Sequence, residues 1–160
     1  MTALIITGII ILDQITKYMV RNNMQIGESL PVIHDVFYIT YVQNRGAAFS
    51  ILQNQHFFTI FLPIIAMGIC VYFLFKVRDK YNKLLTYAVI LVLAGGLGNL
   101  TDRIIFGFVT DMFNFRVFPV FNVADIAVTC GCVLGLIYVL FFDDDGKENK
   151  VNTEGTNIDE

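Results

Sequence analysis

Residues 84–100, LLTYAVILVLAGGLGNL, run without a single charged side chain, close to the roughly 20 apolar residues a helix needs to cross the hydrocarbon layer of a membrane. Working outward, residues 2–20, 57–75 and 121–142 form three more blocks of similar length and character. Across the 160 residues, 56% are hydrophobic and only 16% charged, and the mean hydropathy is +0.64. A water-soluble domain of this composition would leave large apolar patches facing solvent. The chain therefore reads as an all-α membrane protein: four transmembrane helices forming one polytopic domain over residues 1–142.

The first block is read as a retained span rather than a cleavable signal. It lacks a basic leading region and a small-residue cleavage site, and it carries Asp13 and Lys17. Between the second and third blocks, Lys76, Arg78, Lys80 and Lys83 crowd a short loop that the positive-inside tendency assigns to the cytoplasm. Both termini are then expected on the cytoplasmic side. Residues 143–160 are acidic, rich in Asn, Gly and Glu and devoid of aromatics, the composition of a disordered solvated tail. That tail supplies much of the net charge of −3, and no basic stripe interleaved with aromatics exists to argue for nucleic acid. Cys70, Cys130 and Cys132 all lie inside expected spans and imply neither a disulfide framework nor a thiolate metal site.

An up-and-down arrangement of four spans places the end of the first, the start of the second, the end of the third and the start of the fourth at one bilayer face. The unusual polar residues gather there: Asp13 and Lys17, then Asn99 and Asp102, then Asn122 and Asp125, with Asp111 in the last connection. Ionised side chains at a helix centre cost about 2.5 to 3.5 kcal/mol each, so such a gathering needs pairing, solvent or a function to persist. Asp13 and Lys17 are spaced i, i+4 with the acid first, the favourable order on one helix face. They read either as a self-neutralising structural pair or as part of a site. Asn99 precedes Asp102, and Asn122 precedes Asp125, by three residues, so each amide shares a face with its acid and either caps a helix end or orients a carboxylate or substrate carbonyl.

The first connection, residues 21–55, is too long and too patterned for a plain link. Residues 36–42, VFYITYV, are rich in β-branched and aromatic residues, with residues 30–33 as a partner for a small sheet on the membrane surface able to hold an extended peptide. Asn44-Arg45-Gly46-Ala47-Ala48-Phe49 follows, whose small residues permit close approach of another backbone or tight turn packing. His34 and His56 are too few for a metal centre, and Ser29 and Ser50 have no adjacent base for a nucleophile.

Arg103 follows Asp102 at once and is expected to hold that carboxylate ionised in a supporting role. Asp111 and Asp125 have no such neighbour and are the better candidates for acid–base work. Two adjacent carboxyl groups tend to share one proton near neutral pH, one serving as base toward water and the other as acid toward a leaving nitrogen, with no metal or covalent intermediate. Two other readings compete. A transporter or ion-conducting bundle would string polar residues through the full depth of the spans, and a metal-dependent hydrolase would use Asp102, Asp111 and Asp125 as oxygen ligands.

Five segments, Asp13-Gln14-Ile15-Thr16-Lys17, Asn44-Arg45-Gly46-Ala47-Ala48-Phe49, Gly98-Asn99-Leu100-Thr101-Asp102-Arg103, Val109-Thr110-Asp111-Met112 and Pro119-Val120-Phe121-Asn122-Val123-Ala124-Asp125, resemble in this order the lipoprotein signal peptidases, the type II signal peptidases. The resemblance implies a cofactor-free aspartyl endopeptidase of the bacterial cytoplasmic membrane with an extracytoplasmic β-cradle in the first loop. It also implies that the substrate, met in membrane lipid, is a diacylated prolipoprotein cut just before the lipid-bearing cysteine; the protein itself is expected to be a monomer. By motif, Asp111 and Asp125 match the catalytic pair. Asp13, Lys17, Asn44, Gly46, Asn99, Asp102, Arg103 and Asn122 match residues that support the site or bind substrate. The family usually reads Val-Val-Asp-Phe where this chain has Val109-Thr110-Asp111-Met112, and its connection between the two aspartates is longer.

Overall fold

The computed structural model describes residues 2–46 and 56–142. Ala47, Ala48 and Phe49, Ser50, the side chain of His56 and the tail 143–160 lie outside the described residues. The chain runs α1 (Thr2–Asn23), β1 (Ser29–Ile33), β2 (Phe37–Asn44), α2 (His56–Tyr72), α3 (Lys83–Phe106), β3 (Val109–Asn114) and α4 (Val123–Phe141). A π-helical turn, Phe73–Val77, and a 3-10 turn, Arg78–Lys80, carry α2 into the basic loop. Four stretches, Thr2–Asn23, Thr59–Lys80, Lys83–Phe106 and Val123–Phe141, are long and apolar enough to cross a membrane. The four expected spans thus exist, with the third about a turn and a half longer than its uncharged core because Thr101 to Phe106 continue the helix past the first polar residues.

Helix α3 is the centre of the bundle: 44% of its span is buried inside the protein, against 11% for the second span. Met67 of α2 packs with Ile90, Leu93 and Leu100 of α3 to form the main apolar cluster. Against α4 the approach is closer, because two glycines face each other's neighbours. A Cβ on Gly131 would stand 2.7 Å from the Ala88 carbonyl oxygen, and one on Gly95 would collide with the Ala124 carbonyl. Small residues at such a seam let backbones touch, which is how helices gain packing where lipid competes for every apolar side chain. The large apolar residues turned outward, Leu62, Ile65 and Ile69 among them, are surface that only a hydrocarbon environment accommodates.

At one end of the bundle lies an antiparallel sheet in the order β1-β2-β3. The expected two-stranded sheet is corrected here. Its third strand comes from the α3–α4 connection, so the cradle is not confined to the first loop. The reason is local: Gly107 ends α3 in the left-handed region (φ 76°), its N–H returning to the Arg103 carbonyl, a conformation glycine adopts without steric cost. The chain reverses within two residues and Val109–Asn114, most of it buried, pairs with β2, satisfying backbone groups that burial would otherwise leave without partners. Asp111, expected in a connection, therefore sits on a strand opposite Val42.

Candidate active site

The polar residues singled out by sequence arrive at this end of the bundle from α1, β2 and the turn after it, α3, β3 and the start of α4. Asp13 and Lys17 lie one turn apart on α1, fully buried, with Lys17 Nζ 2.8 Å from Asp13 Oδ2. The same ammonium reaches Asp102 Oδ2 at 3.5 Å and donates to Asn99 Oδ1 at 2.9 Å, both on α3. Arg21, one further turn along α1, approaches Asp102 Oδ1 at 3.4 Å. Two carboxylates and two cations thus form a compact group of balanced charge, and among the described residues every buried side-chain nitrogen and oxygen has a hydrogen-bond partner.

The two acids of this group brace backbone. Asp13 Oδ1 accepts from the Ala124 N–H at 2.9 Å, and Asp102 Oδ2 accepts from the Thr110 N–H at 2.9 Å. Ala124 and Thr110 are the residues immediately before Asp125 and Asp111. Asp102, expected to be held ionised by Arg103, makes its ion pairs with Lys17 and Arg21 instead, since adjacent helical residues point to different faces. Asp102 turns inward to Lys17 and Arg21, whereas Arg103 turns to the cavity and reaches the Gly46 carbonyl at 3.4 Å.

Two asparagines join the groups. Asn99 Oδ1 accepts from Lys17 and from Asn122 Nδ2, which leaves its Nδ2 to donate to Asp125 Oδ1 at 2.8 Å. Asn122 caps α4. Its Oδ1 accepts from the Asp125 N–H at 2.9 Å, its own N–H donates to Asp125 Oδ2 at 3.2 Å, and its Nδ2 donates to Asp111 Oδ1 at 2.7 Å. The two readings left open for Asn122, cap or carboxylate orientation, are both realised. Asn99 serves Asp125 across the helix pair rather than Asp102 on its own face. On β2, Asn44 lies diagonally across from Asp111 and donates to its Oδ2 at 3.1 Å, with its amide held by the Gly46 N–H on Asn44 Oδ1. All four carboxylate oxygens of Asp111 and Asp125 therefore accept a bond.

Both aspartates line one cavity of about 320 Å³ together with Asn44, Asn99, Arg103 and the apolar run from Phe118 to Phe121. Asp111 is 2% exposed. Burial pushes its carboxyl up to about 7 and the nearby charge of Asp125 adds to the push, while the donors on Asn44 and Asn122 and the Lys17 charge pull the other way. No three His, Cys, Asp or Glu side chains among the described residues come together as a metal would require. Asp102 is not among the residues that line the cavity shared by Asp111 and Asp125.

Sequence reasoning did not assign a part to Arg21, Gln14 or Thr110. Gln14 Nε2 bridges Asp13, the Gly98 carbonyl and Asp102 at 3.2 to 3.3 Å. The signal for Arg21 was present: Asp13, Lys17 and Arg21 recur every four residues on one face of α1. His34 is exposed against Asp35, and Cys130 and Cys132 are exposed toward the outside of the bundle.

A family model for signal peptidase (SPase) II matches residues 5–141. The lipoprotein signal peptidase of Halothermothrix orenii is 40% identical over 139 residues, 87% of this chain and 94% of the relative. That of Clostridioides difficile is 44% identical over 142 residues, 88% of this chain and 95% of the relative. Among solved structures, a bacterial membrane enzyme superposes with a TM-score of 0.81 at 35% identity, covering 99% of this chain and 93% of that one.

Proposed function

Because the chain belongs to the signal peptidase II family, which cleaves signal peptides from prolipoproteins, we propose that it does so with Asp111 and Asp125 as a catalytic pair of aspartates. The observation that carries this reading is the shared cavity: two carboxylates from different elements line it, and burial with the charge of Asp125 pushes the carboxyl of Asp111 up to about 7. With the shared proton on Asp111, Asp125 takes a proton from water as its oxygen attacks the scissile carbonyl. Asp111 donates to the developing oxyanion; as the intermediate collapses and its C–N bond breaks, the proton held by Asp125 passes to the leaving nitrogen and Asp111 recovers its own. Asn99 and Asn122 hold both carboxylates in place for these transfers, and Arg103 adds a cation beside them.

The scissile bond lies just before a cysteine bearing a diacylglyceryl group. Such a substrate is itself anchored in lipid, and the apolar wall from Phe118 to Phe121 beside the acids suits the chain segment on either side of the bond. The sheet and cavity face the outside of the cell and both termini face the cytoplasm. The four cations of residues 76–83 support this orientation, since they sit at the end of the bundle opposite the cavity. Residues 1–142 act as one membrane domain.

The test is incubation of the purified protein with a synthetic diacylated prolipopeptide and its unlipidated counterpart, alongside Asp111→Asn and Asp125→Asn. Cleavage of the lipidated peptide alone, abolished in both variants while they remain folded in detergent, is the expected result. Near-normal turnover in either variant removes the assignment. Undiminished cleavage in a strong chelator is expected as well.

A further inference from the structure

Asp111 owes its place to the residue before it, and that residue is held on three sides. The Thr110 N–H donates to Asp102 Oδ2 of α3 at 2.9 Å, its carbonyl lies 3.4 Å from Asn122 Nδ2 at the start of α4, and its hydroxyl oxygen accepts from Arg21 Nη1 of α1 at 3.0 Å. Thr110 is fully buried. Arg21 is itself fixed: its guanidinium lies 4.4 Å from the centre of the Phe106 ring and pairs with Asp102, and its side chain is 14% exposed. A planar guanidinium stacked on a ring and bonded at its edge aims its donors in a set direction. A valine at this place would have no atom to accept such a bond.

We propose that Arg21 is a positioning residue which, through the Thr110 hydroxyl, sets the location of Asp111 in the cavity. Of the three contacts on Thr110, this alone is made between side chains, so it is the one that sequence change can remove without disturbing the others. Arg21 is bonded to neither carboxylate of the pair; it pins β3 against α1 directly through the Thr110 hydroxyl and also through Asp102, which braces the Thr110 N–H. A displaced catalytic group costs turnover rather than affinity, because the peptide's grip on the cavity walls is unaltered while the proton transfers lose alignment.

The inference rests on the aspartate-pair reading, and the experiment separates the two. Thr110→Val keeps the β-branched shape and loses the acceptor. Thr110→Ser keeps the acceptor. In a cleavage assay on the diacylated peptide, Thr110→Val is expected to lower kcat by about tenfold with KM within about twofold of the parent. Thr110→Ser should restore most of that loss, and Thr110→Val should have no further effect in an Arg21→Met background, the mark of coupled residues. Melting in detergent checks that all variants fold. Wild-type kcat in Thr110→Val, with Asp111→Asn inert in the same assay, overturns the positioning role alone. A loss that is additive with Arg21→Met, or that serine does not relieve, also overturns it. An active Asp111→Asn removes the pair and this inference with it.

Discussion

Asp111 is buried among amides, and its proton is the one on which the proposed mechanism turns. Its folded pKa of about 7 is raised from 3.8, so the folded state binds this proton more tightly than the unfolded chain does. Stability from this group is then full below pH 4 and is lost as pH rises through about 7. Asp111→Asn cannot ionise, and it is expected to melt higher than the parent at pH 8 in detergent and to converge with it near pH 4, while being inactive throughout. For the parent, kcat/KM should fall above about pH 7 as the pair loses its shared proton. The Asn44 bond favours the ionised form, so Asn44→Ala should move that alkaline limb upward; a downward move would contradict the cause assigned to the shift. The identities of these residues were legible in sequence because charge is conspicuous in an apolar chain. Their partners were not. Asn99 was paired with Asp102 by helical spacing, yet it serves Asp125, since which face of α3 meets α4 is decided by glycines that carry no polar signal.

Those glycines govern the elements. Gly131 meets Ala88 and Val92 so closely that an added Cβ has backbone on one side and a methyl group on the other, whereas a Cβ on Gly135, four residues later, would sit 4.0 Å from the Ala88 side chain. Gly131→Ala is expected to destabilise the protein in detergent by about 1 to 3 kcal/mol through overpacking. Gly135→Ala is expected to be neutral or mildly stabilising, because alanine is the better helix former. Equal melting of the two variants would show that the α3–α4 seam is looser than described. The helices themselves were evident from uninterrupted apolar runs, as were the first two strands from their β-branched and aromatic content. The third strand escaped because its pattern, Val109-Thr110-Asp111-Met112-Phe113-Asn114, is six residues with two buried polar side chains. Only the pairing with β2 makes such a segment a strand, and pairing is not a local property.

At the scale of the whole molecule, the ion group beneath the cavity joins α1 to α3 and, through the braced amides of Ala124 and Thr110, to α4 and the sheet. Lys17 is its hub, with three acceptors within 3.5 Å. Lys17→Met leaves two buried acids with Arg21 as their remaining cation and is expected to cost about 3 to 5 kcal/mol, read as a lowered unfolding midpoint in detergent. Adding Asp13→Asn, which removes one charge of each sign and keeps an acceptor for Ala124, should recover part of that loss; no recovery would mean that the cost lies in packing. Sequence exposed the four-span plan and the convergence of its polar residues, since both follow from counting lengths between turns. It did not expose this coupling, which depends on distances between residues more than eighty positions apart. The order of synthesis gives the i, i+4 pair on α1 a second use. When the first helix leaves the ribosome and meets the bilayer, Asn99, Asp102 and Ala124 have not been translated, and Asp13 and Lys17 have only each other. The pair, carrying its own counter-ion, enters lipid as a neutral unit, then exchanges that provisional satisfaction for permanent partners as the later segments arrive.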